Sequence, residues 1–393
     1  MYFKINIEAI ETYLLSVLSE EKKGKWPTFL KYFLHLLSWI FSGLVQIRIW
    51  LYKHRLLREN TLGCQVISVG NLTVGGTGKT PVVEVFARQL CKQGRKVAIL
   101  SRGYKSRSIP FWEKIWQRVS NRSIEIPPKI VSDGKSLLLD SYSAGDEPYM
   151  LASNLPEVVV IVDKDRVKAG KYAIQKYGCD TLILDDGYQY LKLSNRLDIA
   201  LVDRTNPYGG GYLLPRGLLR EPIRNLKRAG FIFITKCDKK DNKILKNQLR
   251  KLNPNAEISE CRHEAKYLKE IFGDDQFGLE KLKGMNVVSL SAIAVPESFE
   301  NALKSFGANI IHNYRFADHH RYSQQEIINI INHAVKLGAD AIVTTEKDAV
   351  RFPFIERIDI PLLYMRVEIE MITGEEEFIS WIDRICFKSS KIN

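Results

Sequence analysis

At 393 residues with 45% hydrophobic side chains, the chain can bury more than one core, which excludes an intrinsically disordered protein. Its six cysteines, at 64, 91, 179, 237, 261 and 386, show no C-x-x-C spacing, which argues against a disulfide framework or zinc ribbon and for a reducing, cytosol-facing location. The net charge of +13 favours an acidic partner: nucleic acid, anionic lipid or a phosphorylated substrate.

Residues 1–60 read as helical and membrane-facing. Between Lys22 and Arg58 there are eight Lys or Arg and no Asp or Glu, and they flank an uncharged run of sixteen residues, Tyr32–Ile47. That run falls short of the ~20 residues that span a bilayer, and it lacks the position and cleavage site of a signal peptide. An interfacial helix is expected, with Trp, Phe and Leu at the acyl boundary and basic residues on anionic headgroups; a core helix or a true span are the other readings. The run is too apolar for a solvated nucleic-acid arm, so no nucleic acid is expected.

Gln65 to Val69 is the first predicted strand. After it, Thr73-Val74-Gly75-Gly76-Thr77-Gly78-Lys79-Thr80-Pro81 leads into a helix face of Val82, Val83, Val85, Phe86 and Leu90. Strand, glycine loop and helix form the context of a nucleotide phosphate loop. The glycines let backbone N–H groups turn to an anion, the helix N-terminus adds positive charge, Lys79 reaches the outer phosphates and Thr80 can hold Mg²⁺. In the pattern G-x-x-x-x-G-K-[ST] the first glycine falls on Thr73, so the match is incomplete.

Lys96 to Leu100 is the second predicted strand. Arg102 lies at its carboxyl end, where open α/β sheets bind ligands, and is a candidate phosphate contact. Ser106 to Asp133 reads as an irregular excursion. Gly145-Asp146-Glu147-Pro148 then leads into a short helix and the strand Glu157 to Val162; a helix follows over Lys168 to Tyr177, capped by Gly178. Thr181 to Leu184 is a strand closing on Asp185-Asp186-Gly187, an arrangement that holds Mg²⁺ at a sheet edge. Neighbours at a strand end point in different directions, which leaves open whether Asp185 or Asp186 carries the metal.

Leu197 to Val202 is a further strand. Around the turn-rich stretch Asn206 to Pro222, Arg216, Arg220 and Arg224 are offered to phosphates and Glu221 to a metal. Phe231 to Thr235 precedes Thr235-Lys236-Cys237-Asp238, which resembles the guanine-reading [NT]-K-x-D element and keeps GTP as an alternative nucleotide, with a membrane-recruited P-loop GTPase or partitioning-type ATPase as the alternative function. From about Lys236 onward, more charge and shorter strands are expected. Ser323 and Glu326 form a capping box for a helix bearing Ile327, Ile328, Ile331 and Val335 and closed by Gly338; Ala341 to Thr345 is a strand. Asp318-His319-His320 reads as a loop histidine oriented by Asp318, not a zinc ligand. The predicted class is α/β: a P-loop NTPase-type, mainly parallel sheet covered by helices, with a smaller α/β domain and an N-terminal membrane-interacting helix. The predicted divisions are 1–60, 61–235 and 236–393.

Gly70 to Pro81, Ser101-Arg102-Gly103-Tyr104, Gly145 to Pro148, Asp185-Asp186-Gly187-Tyr188-Gln189, Leu214 to Pro222, Asp318-His319-His320 and Thr344 to Asp348 together resemble the tetraacyldisaccharide 4′-kinase family of lipid A biosynthesis, over roughly residues 30 to 355. The resemblance implies transfer of the γ-phosphate of ATP to the 4′-hydroxyl of an acylated disaccharide 1-phosphate, with Mg²⁺. It implies a peripheral or monotopic enzyme on the cytoplasmic face of the bacterial inner membrane. It implies Asp146 as the catalytic carboxylate, His319 as its partner from the smaller domain with Asp318 beside it, and Lys79, Thr80 and Asp185 or Asp186 at the transferring group. Glu221 is implied to complete the metal shell, and Arg102, Arg166 and Arg220 to meet the lipid's 1-phosphate or the phosphates of ATP. The Thr73 departure is shared with this family. Tyr188 and Tyr190 depart from its Asp-Asp-Gly-Phe-Gln-His form.

Overall fold

The computed structural model describes residues 16–17, 22, 24–76, 78–103, 127–238, 241–356 and 359–387. Thr77, most of the excursion and most of the chain before Gly24 lie outside the described residues. Helix α1 (Lys25–Lys53) extends past both ends of the apolar run; its 29 residues are long and apolar enough, by length and composition alone, to cross a bilayer.

Strand β1 (Gln65–Asn71), helix α2 (Lys79–Lys92) and strand β2 (Val97–Ser101) follow, as the periodicity predicts. The excursion ends in regular structure that periodicity does not reveal: β3 (Lys129–Asp133) is an edge strand antiparallel to β4 (Val159–Val162). Between them lie α3 (Ser141–Ala144) and α4 (Asp146–Asn154). Helix α5 (Arg166–Tyr177) starts two residues earlier than predicted because the Asp165 carboxylate accepts from the N–H groups of Val167 and Lys168. Strands β5 (Thr181–Asp185), β6 (Arg196–Asp203) and β7 (Ala229–Thr235) complete the first half.

The second half holds α6 (Lys243–Leu252), β8 (Glu257–Glu270), β9 (Gln276–Phe277), β10 (Asn286–Ser291), α7 (Pro296–Ser305), β11 (Asn309–Arg315), α8 (Gln324–Lys336), β12 (Ala341–Thr345), α9 (Glu346–Ala349), β13 (Leu362–Thr373) and α10 (Glu375–Phe387). The expectation of shorter strands here is wrong: β8 and β13, at 14 and 12 residues, are the longest described. In α8 the capping box forms, and the buried face is Ile327, Ile330, Ile331 and Ala334, while Val335 is exposed.

All strands among the described residues join one sheet in the order β11-β10-β12-β13-β8-β7-β6-β1-β5-β2-β4-β3, with β9 on β8. Neighbours are parallel except β3–β4, β8–β9 and the long pair β8–β13. That pair fixes the geometry of the site. Strand β8 meets β7 through Glu257–Glu260, but β13 and β12 gather at its far end, where Arg366 faces Tyr267 and Leu363 faces Glu270. From Glu257 to Tyr267 is ten residues, about 33 Å at ~3.3 Å per residue. The second half is therefore carried beyond the carboxyl edge of the first and runs opposite to it, so the two sets of carboxyl ends are turned toward each other.

Each face of the first half is covered by helices. On one side Phe86 of α2 meets Phe233 of β7 and Phe378 of α10 edge to face, at centroid distances of 5.6 and 4.9 Å, and Trp381 joins them. Burying each Phe stabilises the fold by about 1.5–3 kcal/mol, and each edge-to-face pair adds ~0.5–1.5 kcal/mol. Helix α5 covers the other side through Ala169 and Ala173.

Candidate active site

Strand β1 ends at the buried Asn71, whose Nδ2 donates to Thr73 O (2.8 Å) and Oγ1 (3.1 Å), bracing the start of the phosphate loop. The loop is also held from outside. Val74 N donates to Leu218 O (2.7 Å), and Arg220 N donates to Leu72 O (2.6 Å), so the Asn206–Pro222 stretch lies along it. Gly75 and Gly76 are exposed, and the N-cap Gly78 has no side chain to cap α2, which leaves first-turn N–H groups and the helix dipole for an anion. Gly78 must be glycine: its φ is 78°, and a Cβ there would lie 2.4 Å from Nε2 of His263 on β8. Lys79 Nζ stands 3.5 Å from Asn71 Oδ1 and 3.8 Å from Asp186 Oδ1, and Thr80 is buried in the first helical turn.

Strand β5, beside β1, delivers the two aspartates. Asp185 is buried and its Oδ2 accepts from Ser101 Oγ at 3.1 Å; burial, Glu147 and Asp186 push its carboxyl up to about 6. Asp186 sits at φ 50° and accepts from Arg220 at 2.9 and 3.0 Å. Burial would raise its pKa, but Lys79 and Arg220 outweigh this and hold it below the ordinary value. The two tyrosines that depart from the family form are both accommodated. Tyr188 is fully buried and donates to Asn225 O at 2.8 Å; Tyr190 Oη accepts from Arg166 N and donates to Asp165, with the Arg166 guanidinium 5.2 Å from its ring.

Also in the first half, Asp146 opens α4, and its Oδ2 lies 3.5 Å from His319 Nδ1, which comes from the turn between β11 and α8. His319 has φ 66°, a left-handed conformation rare outside glycine and concentrated at functional sites. Lys347 Nζ lies 3.3 Å from Asp318 Oδ1 and 3.4 Å from His319 Nε2, while Asp318 Oδ2 is 3.9 Å from the same ring nitrogen. Glu147, next to Asp146, is close enough to raise the pKa of Asp185, which joins the two groups into one region.

Sequence reasoning gave no role to Arg321, which donates to Asp146 Oδ1 at 2.7 Å, or to Arg351, whose Nε donates to Oδ2 at 2.8 Å. Neither has a local signal; a single Arg outside the glycine-rich and acidic motifs becomes visible only when the fold brings it to Asp146.

The remaining candidates divide. Arg102 is exposed at the end of β2. Arg166 is buried and donates to the backbone O of Asp185 at 2.7 Å. Arg220 is engaged with Asp186 and with Gln189 Oε1. Glu221 is buried with both oxygens occupied by Asn225 and Arg228, and Arg228 in turn donates to Tyr188 O, so Glu221 acts on the turn after Asp186. In the guanine-reading candidate, Asp238 is paired with Arg204 (3.0 Å) and Lys236 with Asp203 (2.6 Å), which occupies the carboxylate a base would need. Among the described residues no group of three or more His, Cys, Asp or Glu forms a metal cage.

Helix α1 is fastened to this site. Ser38 Oγ donates to Leu213 O (2.7 Å) and accepts from Arg216 N (3.1 Å), and Arg48 donates to Gln189 O (3.2 Å). Its outer face exposes Trp26, Phe29, Tyr32, Leu36 and Trp39, with Tyr32 at 73% and Trp39 at 71%.

A sequence profile described as Tetraacyldisaccharide-1-P 4'-kinase matches residues 30–386. A tetraacyldisaccharide 4'-kinase from Halothermothrix orenii is 35% identical over 355 residues, covering 87% of this chain and 88% of the relative. One from Anaeromyxobacter sp. (strain Fw109-5) is 37% identical over 336 residues, covering 85% of each. The crystal structure of LpxK from Aquifex aeolicus in complex with ATP superposes with a TM-score of 0.68 at 27% identity, covering 91% of this chain and 99% of that one. The chain belongs to the tetraacyldisaccharide-1-P 4'-kinase family.

Proposed function

We propose that the chain transfers the γ-phosphoryl group of ATP to the 4′-hydroxyl of a tetraacyldisaccharide 1-phosphate at a membrane surface. The observation that carries this reading is the approach of Asp146 Oδ2 to His319 Nδ1 at 3.5 Å, one residue from each half. The sugar 4′-oxygen forms a bond to the γ-phosphorus while the bond from that phosphorus to the β,γ-bridging oxygen breaks. The electron pair leaves with ADP, and the hydroxyl proton passes to Asp146, which His319 orients with Asp318 beside it. Lys79 and the N–H groups of the loop from Thr73 to Thr80 bind the phosphates and stabilise the charge that develops on them.

Mg²⁺ suits the donor set. Asp185 is buried beside Asp186 and Glu147, with Lys79 and Arg166 opposing them, and a bound divalent cation would favour its charged form. Thr80, Asp185 and Asp186 would hold it, with nucleotide phosphates and water supplying the rest, so no protein cage is required. When bound, the ion would neutralise charge on the transferring phosphoryl group. Glu221 shapes the aspartate turn through Arg228. Arg102, Arg166 and Arg220 are the cations for the 1-phosphate of the lipid or the phosphates of ATP.

Helix α1 lies on the cytoplasmic face of a bacterial inner membrane, peripheral or monotopic, with its aromatic face in the acyl boundary and its basic residues on anionic headgroups. Ser38, Gln46 and Arg48 bind the body along one side, which favours lying over spanning. Closure of residues 236–393 on residues 61–235 completes the site around substrate. Incubating the protein with γ-labelled ATP, Mg²⁺ and the disaccharide 1-phosphate tests the reading: a labelled lipid is expected, and its absence with authentic acceptor rejects the assignment.

A further inference from the structure

We propose that Arg351 is the positioning residue of the Asp146–His319 pair; this rests on the reading of Asp146 as the proton acceptor. Its side chain is 0% exposed, and a buried guanidinium persists only when its donors are satisfied and its charge is paired. Here the donors are divided among the working groups. Nε donates to Asp146 Oδ2 at 2.8 Å, NH2 lies 3.2 Å from His319 Nδ1, and NH1 donates to Asp348 Oδ1 at 3.0 Å.

Asp348 is the anchor. It is buried, and its other oxygen, Oδ2, accepts from Ala292 N (3.0 Å) and Thr345 Oγ1 (2.7 Å), tying the guanidinium to the ends of β10 and β12. Arg351 thus reaches from the second half and grips a carboxylate of the first. The His319 ring is held between two cations, with Arg351 NH2 3.2 Å from Nδ1 and Lys347 Nζ 3.4 Å from Nε2. Arg321 does not share this role. It is partly exposed, it takes the other oxygen of Asp146, and its second bond is to Ser141 O.

Planar fork geometry is what allows one side chain to hold a carboxylate, an imidazole and a counter-ion together, and a lysine ammonium cannot reproduce it. A merely structural role predicts a different outcome: lost thermal stability with unchanged chemistry in whatever protein folds.

The test is a double-mutant cycle on the full chain with ATP and the lipid acceptor, reading kcat, the KM for each substrate and the thermal midpoint. Arg351→Gln is expected to lower kcat by about 100-fold, the lower range of general-base contributions, with the KM for ATP unchanged. In an Asp146→Asn background the same change should add no further loss, because Arg351 acts through the group already removed. If Arg351→Gln leaves Asp348 unpaired and fails to fold, Arg351→Lys decides: it keeps the charge, and kcat should fall while the midpoint holds. Full kcat in Arg351→Lys, or multiplicative losses in the double variant, overturns the proposal. Full activity of Asp146→Asn alone would instead reject the reading beneath it.

Discussion

Lys79 Nζ stands 3.8 Å from Asp186 Oδ1, so the cation of the phosphate loop is paired with the carboxylate that follows the end of β5. A nucleotide competes for this lysine. A hydrogen bond to a charged group contributes about 1.5–3 kcal/mol, or roughly 10–100-fold. Lys79→Ala is therefore expected to raise the KM for ATP and to lower kcat, each by about that range. Unchanged kinetics in a steady-state assay would remove Lys79 from the mechanism.

Gly78→Ala tests the packing beneath the loop. The residue sits at φ 78° with His263 Nε2 2.4 Å from where a Cβ would stand. Strain of about 1–3 kcal/mol is expected from the backbone alone, and ATP affinity should fall with it. Adding His263→Ala should restore part of the stability by removing the clash but leave the backbone strain. Calorimetry on the two variants separates these contributions; a Gly78→Ala protein as stable as the parent would contradict the account.

The same histidine predicts a pH effect. Burial, and then Lys236, hold the His263 pKa below its ordinary 6.5, with Asp203 opposing. As pH falls below 6.5, the unfolded chain takes up a proton that the folded chain refuses, so unfolding gains and stability drops. Above 6.5 both states are neutral and the contribution is fully present. His263→Gln should flatten this part of the profile of thermal midpoint against pH. An undiminished slope in the variant would show that other groups cause it.

Helix α1 makes a separable prediction. Leu36 and Trp39 are 59% and 71% exposed and take no part in the Ser38 contacts to the loop. Replacing both with Asp should weaken co-sedimentation with anionic vesicles while leaving ATP binding intact. If vesicle binding persists, this face is not the one that meets lipid.

The phosphate loop was legible because all its chemistry lies within one contiguous stretch, and the strand ends at Asp185 and Thr345 because apolar runs stop there. Strand β3 was not: it contributes only Ile130 and Val131 as apolar residues and takes its place by pairing at an edge. Strand β8 is interrupted by charge at nearly every turn of the pattern, and its partner β13 lies about a hundred residues away, as Arg262 facing Glu370 illustrates. That long-range pairing turns the two sets of carboxyl ends toward each other. Val335, one of the apolar residues that mark α8 in the sequence, is exposed, and the core takes Ile330 and Ala334, a rotation that periodicity over one short helix does not fix. The partners of Asp146 were half legible. Its Asp-Glu-Pro and the Asp-His-His stretch carry a family resemblance, whereas Arg351 has meaning only after the two halves meet.

The central claim is that Asp146 accepts the proton of the sugar hydroxyl. Its most direct test is the rate of label transfer from γ-labelled ATP to the disaccharide 1-phosphate by Asp146→Asn at saturating nucleotide and acceptor, with ATP affinity measured in parallel. The account predicts a loss of about 100-fold or more in turnover with ATP affinity preserved. Turnover equal to that of the parent chain would contradict it.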